Sequence, residues 1–98
     1  MKDWLREKDL PEAIVCGNDD LAFGALRALK ESGKSMAVVG FDDNPKAKSF
    51  SPPLTTIRQP LTQMGKDAVD ILIRKIEGSS SRPILKRYLP ILIVRKTT

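Results

Sequence analysis

Val38-Val39-Gly40-Phe41-Asp42-Asp43 constrains this chain more than any other stretch: an apolar run stops at a glycine, adds one aromatic residue and ends on two acids. Polar side chains that directly follow a buried strand sit at the carboxyl edge of a sheet, where open α/β folds bind their ligands. Ala13-Ile14-Val15-Cys16-Gly17 repeats the grammar and is followed at once by Asn18-Asp19-Asp20. Two such strand ends make one polar rim, so the sequence predicts an α/β fold on a parallel sheet with a ligand site at that rim.

The remaining composition excludes more than it assigns. A chain of 98 residues holds at most one domain, or part of a larger one. No apolar run approaches the roughly 20 residues of a bilayer span, and the charged opening Met1-Lys2-Asp3-Trp4-Leu5-Arg6-Glu7 has no apolar core of a secretory signal. The expected setting is cytoplasmic, with no membrane partner. With no histidine, His-dependent triads and most zinc sites are removed, and no catalytic residue, metal or cofactor is implied. Cys16, the single cysteine, reads as a small buried hydrophobe. The formal charge of +5 is carried by scattered lysines and arginines without interleaved aromatic residues, which argues against direct nucleic-acid contact.

Along the chain, a short helix over 3–8 closes at the turn around Pro11. Asn18 or Asp19 caps a helix over 20–32, whose buried stripe is Ala22, Ala25, Leu26 and Leu29 and whose stop is Gly33. Phe23 and Arg27 fall on another face, a candidate second contact. The link Lys34-Ser35 to the strand over 36–40 is shorter than such connections usually are. Residues 45–51 read as one helical turn or loop, with Phe50 packing. Pro52-Pro53 leads into the strand Leu54-Thr55-Thr56-Ile57, and Arg58-Gln59 brings polar side chains to its end. A helix over 60–77 carries an apolar face of Leu61, Met64, Ala68, Val69, Leu72, Ile73 and Ile76, with Gly65 read as a site of close packing. After the polar loop Ser79-Ser80-Ser81, strands are predicted at Ile84-Leu85, Tyr88-Leu89 and, past Pro90, Ile91-Leu92-Ile93-Val94.

At the rim, Asp42 offers a carboxylate that accepts two hydroxyl hydrogens and Asn18 an amide that donates and accepts, the pairing a sugar or nucleobase needs. The same residues also serve simpler ends: Asn18 or Asp19 as a helix cap, Asp42-Asp43 as a turn. Clustered acids at parallel-strand ends can alternatively hold Mg²⁺ for phosphoryl transfer, resting here on Asp19, Asp20, Asp42 and Asp43.

The segment 13–20 with Ala22, Gly24-Ala25-Leu26 and Leu29, the run 38–43, the run Pro52-Pro53-Leu54-Thr55-Thr56-Ile57-Arg58-Gln59-Pro60, and Gly65, Ala68 and Leu72 together resemble the lactose/galactose repressor family of bacterial transcription regulators. The resembling part is the C-terminal portion of the effector domain, a Rossmann-like half of a type I periplasmic-binding-protein-like fold. The resemblance implies a sensor that binds a small effector, commonly a sugar or nucleobase, between two α/β subdomains. Asn18 matches the family's ligand-binding asparagine and Asp42 its ligand-binding aspartate, with Gln59 as a third contact at the subdomain crossing. It also implies homodimerisation through this half, with Phe23, Arg27, Lys46 and Phe50 as interface candidates, and operator DNA bound only through an N-terminal helix-turn-helix outside these residues. The chain departs from the family in being about four residues shorter between Ser35 and Met36. A solute-binding protein for transport or chemotaxis is the other use of the same fold.

Overall fold

The computed structural model describes residues 1–78 and 82–98, and the predicted Ser79-Ser80-Ser81 loop lies outside them. The described chain divides into two units, Met1–Arg58 with Ile91–Thr98, and Gln59–Pro90.

In the first unit, β1 (Ala13–Val15) and β2 (Ala37–Val39) pair in parallel, with Ile14 opposite Val38, and α1 (Asp19–Ser32) connects them. A short helix α2 (Pro45–Ser49) follows, then β3 (Thr56–Arg58), which pairs antiparallel with β4 (Ile91–Ile93). The parallel bridge Val39 to Thr55 joins the two strand pairs. A 3-10 turn at Trp4–Arg6 replaces the predicted opening helix and buries Leu5.

Local sequence explains α1 from end to end. Asn18 is the N-cap, Asp19 and Asp20 occupy the first turn where they complement the helix dipole, and Lys30 lies in the last turn. Gly33 takes the left-handed conformation (φ 69°), and Lys34 N–H reaches back to Leu29 O at 3.2 Å. This reversal at the helix end is why the short Lys34-Ser35 link suffices: the chain is already turned, and Ala37 N–H bonds Glu12 O at 2.9 Å. The Lys34 ammonium donates to Leu5 O and ties the opening turn to the same corner.

The core of this unit is built from Leu5, Ala22, Phe23, Leu26, Ala28, Leu29, Val38, Ala47 and Leu54. Phe23, expected off the buried stripe, is 3% exposed because Phe50 folds over it from the end of α2. β3 begins later than predicted. Leu54 N–H is taken by Ala47 O and Gly40 N–H by Thr55 O, both at 2.9 Å, so those two residues serve α2 and β2 before the chain reaches β4. The buried threonines leave no hydroxyl idle: Thr97 Oγ1 donates to Val38 O and accepts from Thr55 N–H, while Thr55 Oγ1 accepts from Arg95 N–H.

The second unit contains α3 (Leu61–Ile76), with Arg74 and Lys75 in its last turn as predicted. Its apolar stripe is open: Leu61, Val69, Leu72, Ile73 and Ile76 are each at least 46% exposed, and a Cβ placed on Gly65 would meet nothing within 4 Å, so the close packing expected there is not present. Residues 84–89 form no strand. Pro83 and Pro90 bracket them without backbone donors, and side chains hold the segment instead. Tyr88 Oη and Lys86 Nζ both donate to the Asp67 carboxylate, which also accepts from Gln63 Nε2 at 2.8 Å. Among the described residues no helix is long and apolar enough to cross a membrane.

The Asp67 cluster titrates visibly. Hydrogen bonds from Lys86 and then Tyr88 hold the Asp67 carboxyl down from 3.8 to about 2, and the bond to Asp67 pushes the Tyr88 phenol up from 10.0 to about 12. The lowered carboxyl therefore supports the folded state above pH 3.8 and loses that support as pH falls toward 2. The raised phenol supports it below pH 10 and loses that support as pH rises through 12. Tyr88 is the single tyrosine, so its ultraviolet titration should give a midpoint near 12 that falls toward 10 in Asp67→Asn. An unchanged midpoint in that variant would remove the cluster from the structure.

Candidate functional site

Because β1 and β2 are parallel neighbours, their carboxyl ends lie at one edge, and the segments leaving them are bonded together. Cys16 N–H donates to Val39 O at 2.8 Å and Asp19 N–H to Phe41 O at 3.1 Å. Asn18 and Asp42 are thereby brought to the same rim. Asn18 caps α1 through Oδ1, which accepts Leu21 N–H at 2.8 Å, and Asn18 Nδ2 makes no hydrogen bond among the described residues. The capping and binding readings of Asn18 are thus compatible, because they use different atoms of one amide.

Asp42 is exposed and stands at φ 122°, with Asp43 at φ 55°. Left-handed backbone costs a non-glycine residue about 1–2 kcal/mol. The turn is held against that cost by Asp42 N–H to Ile57 O at 2.9 Å and Asp43 N–H to Thr56 Oγ1 at 3.3 Å. The two acids then diverge in role. Asp43 accepts from Arg58 Nε at 2.7 Å and pairs with Arg95 Nη2 at 2.9 Å. Burial pushes its carboxyl up, but the hydrogen bonds and charges of the two arginines outweigh this and hold it below the ordinary carboxylate range.

Asp19 is turned inward and is 1% exposed. Its Oδ2 accepts Asn44 N–H and its Oδ1 accepts the Thr56 hydroxyl, each at 2.6 Å. Asp19 and Asp43 are therefore engaged by protein donors rather than gathered around a common point. Among the described residues no three His, Cys, Asp or Glu side chains group in a way that could hold a metal ion, and the Mg²⁺ reading finds no geometry here. Burial pushes the Cys16 thiol up, in keeping with a packing role.

Gln59, the third ligand candidate, opens the second unit and is half-buried there. The four interface candidates come together on the first unit. Phe23 and Phe50 stack with centroids 4.6 Å apart, Arg27 Cζ lies 5.9 Å from the Phe50 centroid, and Lys46 Nζ lies 5.5 Å from that of Phe23. Since Phe23 is covered, Arg27, Lys46 and the half-buried Phe50 form the outer surface of this cluster. A groove of about 570 Å³ lies elsewhere, lined by Lys30, Lys34, Met36, Pro52, Lys96 and Thr98 at the amino end of β2. Lys30 sits in the last turn of α1, whose dipole it complements, and the paired acceptors of the rim are absent from the groove's lining.

Sequence reasoning brought Arg58 to a strand end near the rim without naming Asp43 as its partner, and it missed Thr56 and Arg95 as parts of the rim. The only signal for them was their placement at the ends of apolar strands, which does not say which acid each would meet.

Residues 1–98 match the family described as the periplasmic binding protein-like domain. The chain is 41% identical over 90 residues to the HTH-type transcriptional regulator MalR of Streptomyces coelicolor, covering 88% of this chain and 26% of that protein. Among solved structures it is similar to the Lac repressor bound to ONPG in the repressed state (TM-score 0.84, 36% identity, 99% of this chain and 30% of that one). It is also similar to the transcriptional regulator CelR in complex with cellobiose (TM-score 0.85, 32% identity, 89% of this chain and 28% of that one). The chain thus spans less than a third of the length of these relatives.

The packing at Asp19 explains Gly40. A Cβ there would overlap the Asp19 carboxylate and stand 2.9 Å from Leu54 Cδ2, both fixed groups. Gly40→Ala should therefore destabilise the fold by about 1–3 kcal/mol in urea unfolding, the usual cost of overpacking. A variant as stable as the wild type would show that the Asp19 position is not fixed.

Proposed function

We propose, since this chain belongs to the periplasmic binding protein-like domain family and its relatives are HTH-type transcriptional regulators of the Lac repressor kind, that it is the effector-sensing part of such a regulator. The observation that carries the reading is the meeting of Asn18 and Asp42 at one edge of a parallel strand pair, an amide and an exposed carboxylate held on a fixed rim. A carboxylate of this kind accepts two hydroxyl hydrogens and an amide both donates and accepts, which suits a sugar, with a nucleobase as the other ligand this pair can serve. The cellobiose bound to CelR, one of the two structural relatives, supports the sugar reading.

The outer surface of the aromatic cluster, Arg27, Lys46 and Phe50 over the buried Phe23, is the proposed homodimer surface. Stacked rings rimmed by cations make a compact anchor of the type that dominates protein interfaces. Operator contact belongs to a helix-turn-helix elsewhere in the parent protein, and the setting is the bacterial cytoplasm.

In the parent-length protein, Asp42→Ala should weaken effector binding by about 100-fold, the loss of two charge-assisted hydrogen bonds, while operator affinity stays within about twofold. Calorimetric titration with cellobiose, lactose, maltose and hypoxanthine identifies the effector, and operator release reads the response. A full response in the variant overturns the site. Phe50→Ala should weaken dimerisation at least tenfold by sedimentation equilibrium, and an unchanged dimer assigns the interface to another face.

A further inference from the structure

We propose that Asp43 is the positioning residue of this site: clamped between Arg58 and Arg95, it holds the left-handed turn that presents Asp42 at the rim. The proposal rests on the reading of Asp42 as the effector-binding carboxylate.

Consecutive aspartates at φ 122° and 55° hold a backbone conformation that favours glycine, and two backbone donors of the turn, Asp42 N–H to Ile57 O and Asp43 N–H to Thr56 Oγ1, work against that cost. What closes the turn is the side chain of the second acid. Its two oxygens meet two different arginines at 2.7 and 2.9 Å, and its side chain is only 11% exposed. Arg95 is itself immobilised. Its side chain is 14% exposed, its Nη1 donates to Leu54 O at 2.9 Å, and its backbone N–H donates to Thr55 Oγ1 at 2.8 Å. Arg58 is half-exposed and closes the other side. A carboxylate held from both sides by charge-assisted bonds defines both the position and the rotation of the residue that carries it.

The clamp has a topological consequence. Arg58 is the last residue before the chain passes into the second unit at Gln59, and Arg95 follows shortly after the return at Ile91. One carboxylate next to Asp42 therefore holds the outgoing and the returning strand.

The test reads the turn directly and needs no effector: amide hydrogen exchange by NMR on the whole chain. In Asp43→Asn the Asp42 amide should exchange at least tenfold faster, while the Val38 amide, bonded to Thr97 O in the core, stays within twofold of wild type. Arg58→Gln, at a half-exposed position that spares the fold, should accelerate Asp42 about threefold. Arg58→Lys should restore most of the protection, and adding Arg58→Gln to Asp43→Asn should produce no further change. Asp42 exchange within twofold of wild type in both single variants overturns the clamp. Equal acceleration at Val38 and Asp42 also overturns it, because it marks Asp43 as a general stabiliser. Failure of the site reading is seen separately, in an unimpaired effector response of Asp42→Ala.

Discussion

The buried carboxylate of Asp19 joins segments that the backbone alone leaves independent. It belongs to the first turn of α1, yet it accepts the backbone N–H of Asn44 before α2 and the hydroxyl of Thr56 on β3. Removing a carboxylate from water costs several kcal/mol unless hydrogen bonds replace the lost hydration. Here the replacement comes from distant points of the chain, so the group is stable only when all of them are assembled. Gly40 follows from the same packing, because a side chain there would occupy the carboxylate's space. Asn18 precedes Asp19 in the chain and Asp42 lies two residues before Asn44, so both adjoin the segments this carboxylate holds.

Legibility from sequence divides along the same line. α1 was readable because each of its determinants is local: Asn18 as cap, acids in the first turn, glycine at the stop. The rim was readable because two apolar runs with the same polar ending fit adjacent parallel strands. The partners of the acids were not readable. Nothing near Asp43 in sequence names Arg95, and nothing near Asp19 names Thr56, because these pairings depend on β3 lying beside β2 and on β4 returning beside β3. Phe23 was misplaced for a related reason. Helical periodicity described the face turned to the sheet, and the ring that covers Phe23 arrives from α2, a separate element.

Residues 84–89 show the opposite failure, an apolar pattern without a strand. A β-strand requires a partner ladder, and the prolines at 83 and 90 limit the segment's capacity to join one. Asp67 substitutes a side-chain anchor, accepting from Tyr88, Lys86 and Gln63 where backbone pairing is lacking. Periodicity reads burial well only when the burying surface is already implied by the sequence, as it is for α1 over β2.

The positive charge of the chain takes its meaning from the same contacts. Arg58 and Arg95 face Asp43, Lys86 faces Asp67, Lys34 donates to a backbone carbonyl, and Arg27 and Lys46 lie over aromatic rings. Lys2 pairs with Glu31 at the surface, a contact of small energetic value. Each of these cations answers an acceptor within the chain. A polyanion is bound by cations spaced along a continuous track, because each neutralised phosphate contributes separately to affinity. Four of these cations, Lys2, Arg58, Lys86 and Arg95, are matched by acids of the same chain, so a net charge read from composition carries no information about a partner until such internal acceptors have been counted.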